Sequence, residues 1–161
     1  MPVNALLILI IKRYFNDFRF QHDLALYHLL FATGLLLVGL VLRGVWAGRV
    51  PWGNMYEFSL AWTLGILAVF LVVSTRRDIR WLGLPVVFLS LLSLGLAVTV
   101  LYTEAAQLVP ALKSWWLVIH VASAIICGGA FTVAAAISVL YLWRDRAERK
   151  GKVTGLVASL P

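Results

Sequence analysis

Four long apolar runs, each broken from the next by a short polar stretch, dominate the sequence: Tyr27–Ala47, Phe58–Thr75, Leu82–Thr103 and Trp115–Trp143. An α-helix rises about 1.5 Å per residue, so roughly 20 apolar residues cross the ~30 Å hydrocarbon layer of a bilayer. The first three runs fit one crossing each. The fourth is longer than a crossing needs and must tilt or protrude. All four are rich in Leu, Val and Ala and show no period-2 alternation, which favours helices over a barrel. With 62% hydrophobic and 13% charged residues and a mean hydropathy of +0.93, the chain lies far outside the range of water-soluble domains. The expected fold class is all-α: a multi-pass transmembrane helical bundle of four spans over residues 27–143, with a short amphipathic N-terminal segment (1–26) and a basic tail (144–161).

That N-terminal segment opens with "VNALLILII", about half a span, and runs into "KRYFNDFRFQHD", where charges and aromatics interleave. A signal peptide would carry a positive leader before its apolar part and a small-residue cleavage site after it, and neither is present. The segment reads as an amphipathic stretch lying on the membrane surface; the alternative is the remnant of a further span.

Lys and Arg set the expected orientation. Lys12, Arg13 and Arg19, then Arg76, Arg77 and Arg80, then Arg144, Arg146, Arg149, Lys150 and Lys152 fall on one side of the alternating topology. Only Arg43, Arg49 and Lys113 fall on the other. Both termini are therefore expected in the cytoplasm of a cell-membrane protein, with residues 48–57 and 104–114 outside. The formal charge of +7 is accounted for by this asymmetry and calls for no nucleic acid, for which there is no motif. Tryptophans mark the same boundaries: Trp46, Trp52, Trp115 and Trp116 at outer helix ends, Trp81 and Trp143 at inner ends, as an indole with one N–H to satisfy prefers. Trp62 alone lies about one turn inside a span.

Against this lipid-dissolved background the loop "VPWGNMYEF", Val50–Phe58, is unusual. Pro51 and Gly53 suit a turn. Asn54 is a good N-cap, and Glu57 stands three positions later, where a capping-box acid reaches back to the cap residue and complements the helix dipole. Capping accounts for Asn54 and Glu57 but not for the flanking Trp52 and Tyr56.

His120 sits five residues after Trp115, at most about 7.5 Å inside the outer interface. The ridge His120, Ala124, Gly128, Thr132, Ala136 carries only small side chains after the imidazole, so another helix or a flat ligand can approach. An ionisable group at this depth is a functional candidate; the plain alternative is a histidine hydrogen-bonded across a helix interface. His22 and His28 belong to the opposite side and face about 120° apart on a helix, so they share no metal and read as interfacial. Cys127 is a lone cysteine, which leaves no internal disulfide, no Cys-x-x-Cys pair and no Cys-x-x-Cys-His motif. No phosphate loop or paired-carboxylate arrangement is present. Arg43, near the outer end of the first span, can snorkel outward; facing an acidic group of a ligand is the less favoured alternative for Arg43 or Arg49.

"RVPWGNMYEFSLAW" resembles the first external loop and following helix of the cytochrome c assembly family of CcsA/ResC type, which handles haem in System II cytochrome c biogenesis. "LVPALKSWWLVIHVASAIICGGAFTVAAAISVLYLWRDR" is similar to a later helix of that family, in the same order. The likeness extends over roughly Tyr27–Arg149 and is nearest to actinobacterial members. It implies haem b as cargo, carried for attachment to an apocytochrome c, with a ResB-type membrane subunit as partner. It also implies that His120, in Ser114-Trp115-Trp116-Leu117-Val118-Ile119-His120-Val121, is the first of two external histidines that ligate haem iron. Trp52, Asn54, Tyr56 and Glu57 become candidate loop contacts to the cargo. The family's WGxxWxWD loop and second external histidine are not in the sequence, whose one Trp-Gly is Trp52-Gly53. The chain is therefore expected to correspond to the N-terminal half of a family member, with the C-terminal half as a further partner. The competing expectation is a non-catalytic four-helix membrane scaffold, or half of a small transporter, without haem. Transport is poorly supported, because the spans hold few polar residues and no broken-helix pair.

Overall fold

The computed structural model describes residues 18–108, 110 and 113–151. Among them there is no strand. Four helices follow one another: α1 (Phe18–Ala47), α2 (Met55–Ser74), α3 (Gly83–Thr99) and α4 (Trp115–Arg149), with a 3-10 turn, Arg80–Leu82, leading into α3. Leu24–Ala47 of α1, all of α2 and α4 are each long and apolar enough to cross a membrane, whereas α3 is a shorter apolar helix. The all-helical membrane bundle is thus present, built from three full-length spans and one short one.

The third apolar run, expected to reach Thr103, stops being helical at Thr99. Val100 N–H and Leu101 N–H both donate to the Leu96 carbonyl, at 3.0 and 3.2 Å, and close the helix. The β-branched Val98-Thr99-Val100 is a poor continuation, and the residues beyond leave in an irregular connection. At the other extreme, α4 runs past Trp143 to Arg149, 35 residues in one helix and longer than a crossing needs. Its exposed end carries the i,i+4 pairs Arg144–Glu148 (2.7 Å) and Asp145–Arg149 (3.0 Å), which support a solvated helix end by a few tenths of a kcal/mol each. Of the expected surface segment, residues 1–17 lie outside the described residues, and 18–26 already belong to α1.

Contacts divide the chain at Leu35 into two units. In the first, α1 is supported by local bonds such as Thr33 Oγ1 to the Leu29 carbonyl, 2.7 Å. In the second, α2 is the hub and packs on both α4 and α3. Lipid is as apolar as leucine, so helices in a membrane associate through close van der Waals approach, which small residues allow. A methyl group at Gly129 would lie 2.7 Å from the Gly65 carbonyl, and one at Gly65 would lie 2.8 Å from Ile125 Cγ2. The outer edge of the Trp62 six-membered ring packs against Gly128, which explains a tryptophan inside a span. Between α2 and α3, the buried Thr63 hydroxyl lies 2.9 Å from both the Ser59 carbonyl and the Ser93 hydroxyl. Leu40, Leu60, Ala61 and Ala97 form a buried cluster among α1, α2 and α3, with Trp52 and Tyr56 packed against it.

Candidate functional site

The connections 48–54 and 100–114 meet at one end of the bundle, termed the upper end. Gly48, at φ 63°, closes α1: its N–H donates to the Val45 carbonyl and Arg49 N–H to the Gly44 carbonyl (3.2 and 3.1 Å), as a left-handed glycine at a helix C-terminus does. Asn54, in extended conformation, caps α2, with Oδ1 accepting from Glu57 N–H at 2.8 Å. The expected cap is present. Its reciprocal half is shifted: Glu57 Oε2 accepts from Gly53 N–H at 2.9 Å, one residue before the cap.

The shift follows from what else holds this carboxylate. Arg43 Nε lies 3.0 Å from Glu57 Oε1, Arg49 Nη1 2.7 Å from Oε2, and Arg49 Nη2 3.2 Å from Oε1. Glu57 is 0% exposed, and the side chains of Arg43 and Arg49 are 11% and 12% exposed. Arg43 therefore does not snorkel outward as expected from its position; it turns back onto the acid. Taking three charges out of water is costly, and mutual attraction offsets the cost only with good geometry and further hydrogen bonds. Those bonds are present. Arg43 Nη2 donates to the Thr103 carbonyl, Arg49 Nε to the Ala106 carbonyl at 2.9 Å, and Arg49 Nη1 also to the Val50 carbonyl at 3.1 Å. Gln107 Nε2 adds a bond to the Ala47 carbonyl at 3.1 Å. The Arg43 guanidinium stands 4.7 Å above the Tyr56 ring, which meets Tyr102 edge-on at 5.3 Å, so a cation–π contact shields the triad from the side. Glu57 and backbone carbonyls thus engage Nε and Nη2 of Arg43 and all three guanidinium nitrogens of Arg49.

Trp52, Asn54, Tyr56 and Glu57 are thus brought into one knot, each with a structural partner. Trp52 also lines an open apolar groove of about 670 Å³ with Leu37, Val41, Gly44, Pro51 and Leu64. The sequence reasoning missed the triad. The signal was available: one acid and two arginines at the edge of the membrane, where an unpaired charge is expensive.

His120 stands outside that knot. Ser114 caps α4 through its Oγ, which accepts from Trp116 N–H at 3.2 Å, and Trp115 and Trp116 are 82% and 79% exposed. His120, one turn after Trp116, is exposed. Residues four apart on a helix advance by about 40° in facing. The small-residue ridge therefore drifts: Gly128 and Ala136 are buried, while the ridge begins, at His120, on an open face. His28, also exposed, has Nδ1 2.7 Å from the Leu24 carbonyl, a bond within its own helix. The side chain of His22 lies outside the described residues. Among the described residues no group of three or more His, Cys, Asp or Glu side chains could hold a metal ion.

Apolar helices of spanning length, joined at the upper end by a buried ion triad, define a multi-pass membrane protein. The model of the family described as Cytochrome C assembly protein matches residues 52–161, a stretch holding the capped loop, Glu57 and His120. The chain belongs to that family, in its CcsA type. It is similar to proteins named cytochrome c biogenesis protein CcsA from Cyanophora paradoxa (33% identical over 120 residues, 71% of this chain and 37% of the relative). The same name is carried by similar proteins from Synechococcus sp. strain JA-3-3Ab (34% over 125 residues, 73% and 36%) and Cycas taitungensis (33% over 113 residues, 63% and 34%). The chain spans about a third of the length of these curated relatives. No solved structure matches it.

Proposed function

We propose that this chain is a haem-handling component of a System II cytochrome c biogenesis complex, with its upper end outside the cell membrane and both termini in the cytoplasm. In this reading it presents haem for attachment to an apocytochrome c, with a ResB-type subunit and the remaining portion of a CcsA-type protein completing the complex. The carrying observation is His120 itself: it lies within the family match, in the word SWWLVIHV, and its imidazole is exposed on α4. An exposed neutral imidazole suits an axial ligand to haem iron, and its second ring nitrogen stays free to donate to a partner. Ser123 and Ala124, the next residues along its face, are small and leave a flat molecule room to approach. The Lys/Arg asymmetry supports the orientation.

Haem added to the purified protein should give a difference absorbance spectrum that depends on His120. Free imidazole should convert it to a six-coordinate low-spin form, because one histidine leaves the other axial position open. His120→Ala should abolish the response and His28→Ala should not. An unchanged haem spectrum in the His120 variant would remove the ligand assignment.

A further inference from the structure

The described residues of the second upper connection, 100–108, 110, 113 and 114, are mostly irregular, and α4 begins directly after Ser114. Its path is held through main-chain carbonyls, because Thr103 O accepts from Arg43 and Ala106 O from Arg49. Neither guanidinium would hold its pose alone. Both are oriented by Glu57, whose two oxygens receive three N–H groups from the arginines and a fourth from Gly53. Gly53 has to lack a side chain for this: a methyl group there would lie 2.5 Å from Arg49 Nη1, 2.7 Å from its Cζ and 2.6 Å from Leu108 Cδ1 of the second connection.

We propose that Glu57 is a positioning residue. Acting through Arg43 and Arg49, it fixes the connection that delivers the first turns of α4, and so sets where His120 stands at the upper end. The functional half of this inference rests on the reading of His120 as a haem ligand; the mechanical half rests on the triad alone. It also gives the loop WGNMYE a task other than touching the cargo. Trp52 and Tyr56 pack the loop down, Gly53 makes room, Asn54 starts the helix, and Glu57 grips the neighbouring connection.

The test uses the full chain in lipid nanodiscs, in a Cys127→Ala background, with a spin label at Glu104→Cys and a control label at Lys150→Cys. Both labelled positions are exposed. Glu57→Gln is the main variant, because it alters the triad alone; Gly53→Ala, which keeps every charge but crowds both the Arg49 guanidinium and Leu108, is the second. In both, the label at 104 should become markedly more mobile and the label at 150 should not change. In unlabelled Gly53→Ala, His120-dependent haem affinity should fall by about tenfold or more, as displacements of the order of 1 Å at a binding constellation do. A folded Glu57→Gln protein whose 104 label is as immobile as in the parent overturns the proposal, whatever Gly53→Ala does. So does a mobile 104 label with unaltered haem affinity. If His120→Ala itself leaves haem binding intact, the haem reading fails instead, and the label alone decides whether Glu57 holds the connection.

Discussion

Glu57 Oε2 lies 2.7 Å from Arg49 Nη1, in a place where the acid is wholly shielded from solvent. The pair is separated by eight residues in sequence and joins the loop to the first turn of α2. Surface pairs of this kind contribute little, but a buried one cannot lose a partner without leaving a charge stranded.

Glu57→Gln should therefore destabilise the upper end strongly, by about 3 kcal/mol or more, the usual consequence of breaking a buried ion pair from one side. As a capping acid alone, Glu57 would tolerate the amide. As the counterion of Arg43 and Arg49, it should not. Unfolding of the micelle-embedded protein in a denaturing-detergent titration measures the difference, and wild-type stability in Glu57→Gln would reduce the residue to its cap.

Asn54→Ala removes one side-chain acceptor from the α2 N-terminus and leaves the triad in place. Its loss should be about 1 kcal/mol, as for a typical cap. The same titration should rank it clearly above wild type in lability and below Glu57→Gln. A reversed order would mean that the cap, not the charges, organises the loop.

Glycines at the helix crossing and in open space should part company. Gly129→Ala forces a methyl group to 2.7 Å from the Gly65 backbone, whereas Gly95 of α3 has nothing within 4 Å of its missing side chain. Gly129→Ala should separate α2 from α4 and cost at least 1–3 kcal/mol by overpacking. Gly95→Ala should be neutral or gain roughly 0.5–1 kcal/mol from helix propensity. Melting curves of the two variants decide the matter, and equal behaviour would contradict the close crossing.

Orientation is open to labelling. Cysteines replacing Lys113 and Lys150, in a Cys127→Ala background, should react with a membrane-impermeant maleimide on intact cells at position 113 only. Labelling at 150 with protection at 113 would invert the topology expected from the basic residues.

The sequence by itself determined the features that depend on local solvent and backbone. Long apolar runs without alternation specify membrane helices, because hydrocarbon offers the backbone no other partner. Asn54 marks a helix start through a bond to the residue three positions on. The length of the fourth run announced a helix longer than one crossing. Tertiary structure decided what depends on distances between segments. Arg43 and Glu57 are 14 residues apart, and the carbonyls of Thr103 and Ala106 stand 60 and 57 residues from the arginines that hold them. No periodicity reports such pairings, and a carbonyl leaves no mark on residue identity. The same holds for Trp62 on Gly128, and for a ridge that begins exposed at His120 and ends buried against its neighbours. Which face of a helix is covered is settled by the crossing of its neighbours, and the spacing of its own side chains carries only part of that information.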